Sequence, residues 1–137
     1  PPMPQRDQTP TTTIETWSVN PTSRVWIGGN NTDARREIEL LIGDAQHPPT
    51  GEIDRAFIAP LTTDEALYFA RKLRPRLVQD ASVWIVYPKR GSPSEHEFAG
   101  NFEEMVVVLF ELGFTESGRA NLTGDYTSTG FRIDSVM

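Results

Sequence analysis

The sequence predicts a single small α/β domain whose mostly parallel sheet ends in a C-terminal antiparallel hairpin. Segments rich in β-branched and aromatic residues alternate with segments of helical periodicity, which is typical of a parallel sheet with right-handed crossovers. A turn signal separates the last two strand-like segments, as in a hairpin. The length of 137 residues fits one domain. We place that domain at residues 17–137, after an extended tail at residues 1–16.

The first strand and helix are predicted at residues 24–43. Residues 24–29 join β-branched and aromatic side chains to two glycines, which is typical of a buried strand that enters a tight turn. Asn31 or Thr32 can cap the helix that follows, and Gly43 is a natural end for it. Four residues at helical spacing form its apolar face: Ala34, Ile38, Leu41 and Ile42.

The second and third strands follow the same pattern. Residues 53–60 form a strand that a proline stops. The next helix opens with a capping box made by Thr62 and Glu65, and Pro75 closes it. Residues 83–87 are apolar throughout, as expected of a central parallel strand that is covered on both faces.

A third helix and the hairpin complete the domain. The helix carries apolar residues along one side, and Gly113 follows it: Phe98, Phe102, Met105, Val106, Leu109 and Leu112. Residues 114–122 and 126–133 are predicted to be two strands, joined through Thr123, Gly124 and Asp125.

The net charge and the composition exclude several kinds of partner. Thirteen basic and 19 acidic residues give a net charge of −6, whereas nonspecific binding to nucleic acids or anionic membranes requires positive charge. No apolar run approaches the ~20 residues of a membrane span, and no signal-peptide pattern opens the chain. The absence of cysteine excludes disulfides and thiolate sites. We therefore expect a cytoplasmic protein.

Several motifs resemble those of a bacterial family of short, truncated methyltransferase-like proteins of unknown function. They are Leu73-Arg74-Pro75, then Val83-Trp84-Ile85-Val86-Tyr87-Pro88-Lys89, then Gly113-Phe114, and finally Thr129-Gly130-Phe131-Arg132-Ile133. Ser128 stands where that family has a tryptophan. The resemblance implies a truncated Rossmann-like, class I methyltransferase-like fold.

The resemblance does not extend to the elements that hold the cofactor. Methyltransferases of full length have a glycine-rich loop after the first strand and an acidic residue at the end of the second. Here the loop has only the adjacent pair Gly28-Gly29, and too few residues separate Gly43 from Ile53 for a helix and a strand. The second strand is therefore predicted to be deleted, and we expect no cofactor, S-adenosylmethionine included.

The best candidate for a ligand site lies at the carboxyl ends of the strands, where ligands bind in open parallel sheets. Backbone N–H groups at a helix start and nearby cations favour an anion there, such as a nucleotide. The candidate residues are Gly28, Gly29, Asn30, Asn31, Thr62, Tyr87, Lys89 and Arg90. The alternative is that the glycines form only a tight turn, Thr62 only a helix cap, and the two cations a solvated loop.

No residues form a convincing metal or catalytic site. His47 lies in a loop before two prolines. His96 lies between two glutamates, but adjacent residues of a helix do not face one another. No Gly-x-Ser-x-Gly elbow or other nucleophile set is present. We therefore expect no metal site and name no catalytic residue. The question of enzymatic activity stays open, with a non-enzymatic role favoured.

Two features indicate association with protein. Residues 105–110 are apolar nearly all round, more than one core-facing stripe requires, and a second subunit often covers such a helix. Trp17 either docks onto the sheet as core or, if exposed, marks a binding surface. The predicted interface residues are Trp17, Val107 and Phe110, in a homodimer or with a protein partner.

Two functions remain open from the sequence. The first is a non-catalytic, degenerate methyltransferase-like domain that acts through self-association or protein binding. The alternative is a small-molecule binding protein or enzyme that holds a nucleotide or another anionic ligand in the cleft at the strand ends.

Overall fold

The computed structural model describes residues 16–19, 22–43, 51–122 and 124–133. They form five strands, three α-helices and two short 3₁₀ turns at residues 74–76 and 95–97. In chain order the strands and α-helices are β1 (Val25–Gly28), α1 (Thr32–Ile42), β2 (Ile53–Ile58), α2 (Thr63–Leu73), β3 (Leu77–Pro88), α3 (Phe102–Glu111), β4 (Phe114–Asn121) and β5 (Tyr126–Ile133). The predicted tail lies outside the described residues except for Thr16.

The five strands form one sheet in the order β1-β2-β3-β5-β4. β1, β2 and β3 are parallel, whereas β5 runs antiparallel to both of its neighbours. The predicted α/β fold with a mostly parallel sheet and a C-terminal hairpin is therefore confirmed. Within the part of the chain that the structure describes, no helix is long and apolar enough to span a membrane.

The two crossovers of the parallel sheet have opposite hands. Ala34 and Ile38 of α1 pack on the face that carries Phe57 and Trp84. The buried residues of α2 pack on the other face, with Ile58 and Ile85 of the strands. Both connections step across the sheet in the same direction, so helices on opposite faces require opposite hands. The prediction that all crossovers are right-handed is therefore wrong.

Trp17 belongs to the core on the α1 face. Its side chain is only 1% exposed, and its ring centroid lies 4.5 Å from that of Phe57. The indole Nε1–H donates a hydrogen bond to Ser128 Oγ at 3.2 Å. Of the two alternatives for this residue, docking onto the sheet is correct. The prediction of Trp17 as an interface residue is wrong because its ring is already buried within the chain.

Two element boundaries differ from the prediction. β3 extends over twelve residues, Leu77–Pro88, rather than the five apolar residues in its C-terminal half. Its pairing with β2 begins at Leu77, shifts register and resumes at Ser82. α3 begins at Phe102, so Phe98 precedes the helix instead of belonging to it. Asn101 caps the helix through its side chain. Gly100 lies so close to Thr63 that a Cβ there would be 2.1 Å from Thr63 Oγ1.

Candidate functional site

The loop after β1 uses its backbone donors within the chain. The Asn30 N–H donates to Glu65 Oε2 at 2.8 Å, and the Leu61 N–H donates to Glu65 Oε1 at 2.6 Å. The Asn31 N–H donates to the carbonyl of Ala59 at 2.9 Å. One carboxylate of the chain thus bridges the ends of β1 and β2, at the place where an anionic ligand was predicted.

The two glycines of this loop serve packing within the chain. Gly29 has a φ of +117°, and a Cβ there would lie 2.2 Å from the carbonyl oxygen of Ala59. A Cβ at Gly28 would lie 2.3 Å from the ring of Trp26. The close approach that these glycines permit is therefore to β2 and to a core ring. The predicted ligand contacts at Gly28, Gly29, Asn30 and Asn31 are not supported.

Thr62 is a helix cap. Its Oγ1 accepts the Glu65 N–H at 2.9 Å, as a capping box requires. The carboxylate of Glu65 departs from that motif, because it accepts from Leu61 and Asn30 instead of returning to Thr62. Thr62 therefore belongs to the structural alternative that we named for it.

The segment before α3 covers the end of β2. The Ala99 N–H donates to the carbonyl of Leu61 at 3.0 Å, and the Thr63 N–H donates to the carbonyl of Ala99 at 2.9 Å. Further along, the Tyr126 hydroxyl donates to Glu97 Oε1 at 2.9 Å. The chain therefore closes its own strand ends from β2 to β5.

An open cleft of about 830 Å³ remains beside α3. The segment that leads from β3 into α3 forms one wall, and the hairpin of β4 and β5 forms the other. Three of the predicted site residues, Tyr87, Lys89 and Arg90, line this cleft. The other five predicted site residues do not line it.

One wall of the cleft is aromatic. The ring centroid of Tyr87 lies 4.9 Å from that of Phe102 and 5.8 Å from that of Phe98. The Tyr87 hydroxyl is 2.8 Å from Thr129 Oγ1, so either group can donate to the other. This hydrogen bond fixes the tyrosine ring in the wall.

The charged groups of the cleft include three cations and two carboxylates. Lys89 Nζ donates to the carbonyl of Gly124 at 3.0 Å, which ties the cleft to the hairpin turn. Arg90 is exposed, and Arg119 contributes its guanidinium from β4. The two carboxylates are those of Glu95 and Glu103.

A second group of polar residues lies under the hairpin turn and has two raised pKa values. Burial raises the pKa of Glu37, and the nearby carboxylate of Asp125 raises it further, against a lowering by Lys89. Burial raises the pKa of Tyr126, and the hydrogen bond to Glu97 adds to this. Two hydroxyls of this group donate to carboxylates, Tyr126 to Glu97 Oε1 at 2.9 Å and Ser94 to Asp125 Oδ2 at 3.0 Å. These four residues are not among those that line the cleft.

No metal site is found in the described ranges, where no three His, Asp or Glu residues cluster suitably. His96 lies exposed on the 3₁₀ turn at residues 95–97, and His47 lies outside the described residues.

The sequence missed the part of the cleft that β4 and β5 supply. Arg119, Asn121 and Thr127 line it from the hairpin, and no local pattern indicates that this strand face meets α3. The sequence pattern predicts Phe98 and Phe102 on one side of a single helix, whereas the helix begins at Phe102. The glycine at position 100, just before Asn101, is the signal that could have separated them.

Two solved structures show what the fold resembles. The mitomycin 7-O-methyltransferase MmcR superposes with a TM-score of 0.53 at 10% identity, over 90% of this chain and 53% of that protein. The ribosomal protein L11 methylase from Lactobacillus delbrueckii subsp. bulgaricus superposes with a TM-score of 0.53 at 13% identity, over 90% of this chain and 76% of that protein. This chain thus spans about half of MmcR.

The sequence itself matches no family model and no curated protein. Identities this low show the fold alone, because many unrelated activities share one fold. Five strands, three helices and the C-terminal antiparallel hairpin together give this chain a class I methyltransferase-like fold.

Proposed function

We propose that this chain is a non-catalytic domain of methyltransferase-like fold that functions by associating with protein, most simply with a second copy of itself. One observation carries the proposal. The Glu65 carboxylate accepts the Asn30 and Leu61 N–H groups, so a negative charge of the chain itself lies at the strand ends where an anionic ligand would bind.

The order of the strands supports the same conclusion. In open α/β sheets the ligand crevice forms where the strand order reverses, between crossovers that lead away on either side. In the described sheet β1 has a neighbour on one side only, and β1, β2 and β3 follow one another without a reversal. The described sheet therefore lacks a strand on the second side of β1, which would form the other side of that crevice.

The handedness of the first crossover fits a deleted strand. In a doubly wound sheet, the first helix covers one face and leads to a strand on one side of β1. Later helices cover the opposite face and lead to strands on the other side of β1. If the strands on the first side are lost, α1 leads directly to β2, and its crossover has the hand opposite to that of α2. We propose that this chain derives from such a deletion.

The outer side of α3 supports association. Val107 and Phe110 are 58% and 65% exposed, whereas Met105 and Leu109 on the inner side are 1% exposed. Large apolar side chains paired at i and i+3 on an outer helix face are typical of contact surfaces. We propose that a second subunit covers this pair.

The absence of cofactor binding is tested by thermal unfolding with saturating S-adenosylmethionine or S-adenosylhomocysteine. We expect no change in Tm, since a ligand that binds the folded state stabilises it by about 2.7 kcal/mol at one hundred times its Kd. A rise of several degrees with either compound that Arg119→Gln, in the cleft beside α3, does not reduce contradicts the non-catalytic proposal.

Self-association is tested by the mass in solution, measured by light scattering over a range of concentrations. We expect a dimer for the unmodified chain and a monomer for Phe110→Glu. The control is Leu40→Glu on α1, because Leu40 is 78% exposed but lies on the opposite side of the sheet. A monomeric mass for the unmodified chain refutes self-association. Equal loss of the dimer in both variants refutes the α3 surface.

A further inference from the structure

We infer that the cleft beside α3 binds a planar aromatic molecule that carries a negative charge. This site is separate from the proposed association surface, and it involves neither the loop after β1 nor a cofactor. Four features of the cleft support this site: its size, its aromatic wall, its guanidinium groups and the hydrogen bond of the Tyr87 hydroxyl.

The cleft has the size of a small-molecule site. Its volume of about 830 Å³ lies within the roughly 300–1,000 Å³ of typical ligand pockets. One wall is the segment from β3 into the start of α3, and the other is the paired strands β4 and β5. The paired strands hold the contact groups of that second wall in place.

The aromatic wall selects for a flat ring. Tyr87, Phe98 and Phe102 form a continuous group, with Tyr87 at its centre. All three are only partly buried, so each leaves ring surface open to the cleft. A planar ligand can extend this group by offset or edge-to-face stacking, the arrangements that aromatic pairs prefer.

The guanidinium groups select for an anion. Arg90 is exposed and makes no ion pair with any residue of the described ranges. Arg119 Nε lies 3.4 Å from Glu116 Oε2, a long contact between side chains that are 68% and 39% exposed. Planar guanidinium groups bind carboxylates and phosphates through paired hydrogen bonds.

The two carboxylates of the cleft do not cancel this charge. Glu95 Oε1 accepts the Gly91 N–H at 3.1 Å and is thereby held against its own loop. Glu103 is exposed in the first turn of α3, where the helix dipole stabilises it. Three cations and two carboxylates leave the lining positive, although the whole chain carries −6.

The tyrosine and threonine hydroxyls of the lining are already hydrogen-bonded within the chain. The Tyr87 hydroxyl is bonded to Thr129, and Thr127 Oγ1 donates to Asn121 Oδ1 at 2.7 Å. No histidine is among the described residues that line the cleft. These polar groups can orient a ligand, and the carboxylates of Glu95 and Glu103 are the bases that line the cleft.

Two kinds of molecule share this chemistry, a nucleotide and an aromatic carboxylate. The experiment is isothermal titration of the full chain with four probes: adenosine 5′-monophosphate, adenosine, benzoate and inorganic phosphate. We expect either adenosine 5′-monophosphate or benzoate to bind. The tighter of the two shows whether the ligand is a nucleotide or an aromatic carboxylate. We expect adenosine and phosphate each to bind at least about tenfold more weakly than that probe. Binding of neither aromatic anion overturns the inference.

A matched pair of arginine variants tests the location. Arg119→Gln should weaken the charged aromatic probe by at least about tenfold. The control is Arg36→Gln, because Arg36 is 70% exposed and also lies 3.4 Å from a carboxylate three residues away, but on α1. If both variants weaken the binding of the probe equally, the probe is attracted by the overall charge of the chain, and the proposed site is overturned.

A ring variant tests the stacking wall. Phe102→Leu keeps an apolar side chain at the first position of α3 but removes the ring. We expect it to weaken the aromatic anion and to leave the circular dichroism spectrum unchanged. Unchanged affinity in a folded Phe102→Leu variant overturns the stacking argument. Neither result bears on the mass of the chain in solution, so this inference and the proposed association fail separately.

Discussion

The closure of the loop after β1 makes a sharp prediction for Gly29→Ala. The φ of +117° at Gly29 is one that other residues rarely adopt. A new Cβ would lie 2.2 Å from the oxygen, 2.5 Å from the carbon and 2.8 Å from the nitrogen of Ala59. All three atoms are backbone, so no side chain can rotate away and the loop itself must move.

The magnitude follows from strain and lost hydrogen bonds. Backbone strain of this kind costs about 1–3 kcal/mol. The loop's two hydrogen bonds to Ala59, at 2.8 and 2.9 Å, contribute about 0.5–1.5 kcal/mol each, and movement of the loop breaks one or both. Their sum is roughly 1.5–6 kcal/mol. For a chain of 137 residues this lowers the Tm by roughly 5–21 °C.

The assay is thermal unfolding followed by circular dichroism, with Gly43→Ala as the control. Gly43 also has a positive φ, +60°, but a Cβ there would meet nothing within 4 Å. Alanine at Gly43 therefore adds only backbone strain, about 1–3 kcal/mol. If Gly29→Ala lowers the Tm no further than Gly43→Ala does, the loop is open. The proposed function then loses its main support.

Two further predictions concern the core and the group under the hairpin turn. Trp17→Ala should destabilise the chain by about 3–5 kcal/mol because it empties a buried site beside Phe57; a denaturation midpoint equal to that of the unmodified chain contradicts the docking. Burial and Asp125 raise the pKa of Glu37, so the folded chain binds the proton of this carboxyl more tightly than the unfolded chain does. The free energy of unfolding therefore falls as the pH rises from the usual pKa through the raised one. Glu37→Gln should therefore raise the Tm at pH 7 and lose this advantage below pH 4.5, the usual pKa of the group; a constant difference across that range refutes the assignment.

Most of the fold could be predicted because its signals are local. The apolar run in the C-terminal half of β3, the cap residue Asn31 and the turn at Gly124 each act over a few residues. The hand of the first crossover could not be predicted. It depends on which face of the sheet buries α1, and the apolar stripe of a helix does not specify that face.

The candidate site was predicted in part for the same reason. Tyr87 and Lys89 end a strand whose position in the sheet is clear from its composition. The loop at Gly29 has the pattern of an anion site, but a carboxylate 35 residues away in sequence, on Glu65, occupies its donor. A capping box explains that glutamate fully at the level of sequence, so nothing local indicates its second role.

The position of Trp17 gives the chain an internal optical probe. Its ring lies 6.4 Å from that of Trp84 on one face of the sheet, while Trp26 packs against Phe69 on the other face. The first two indoles are close enough to couple electronically. Near-ultraviolet circular dichroism therefore reports the docking of the segment that carries Trp17, without any added label.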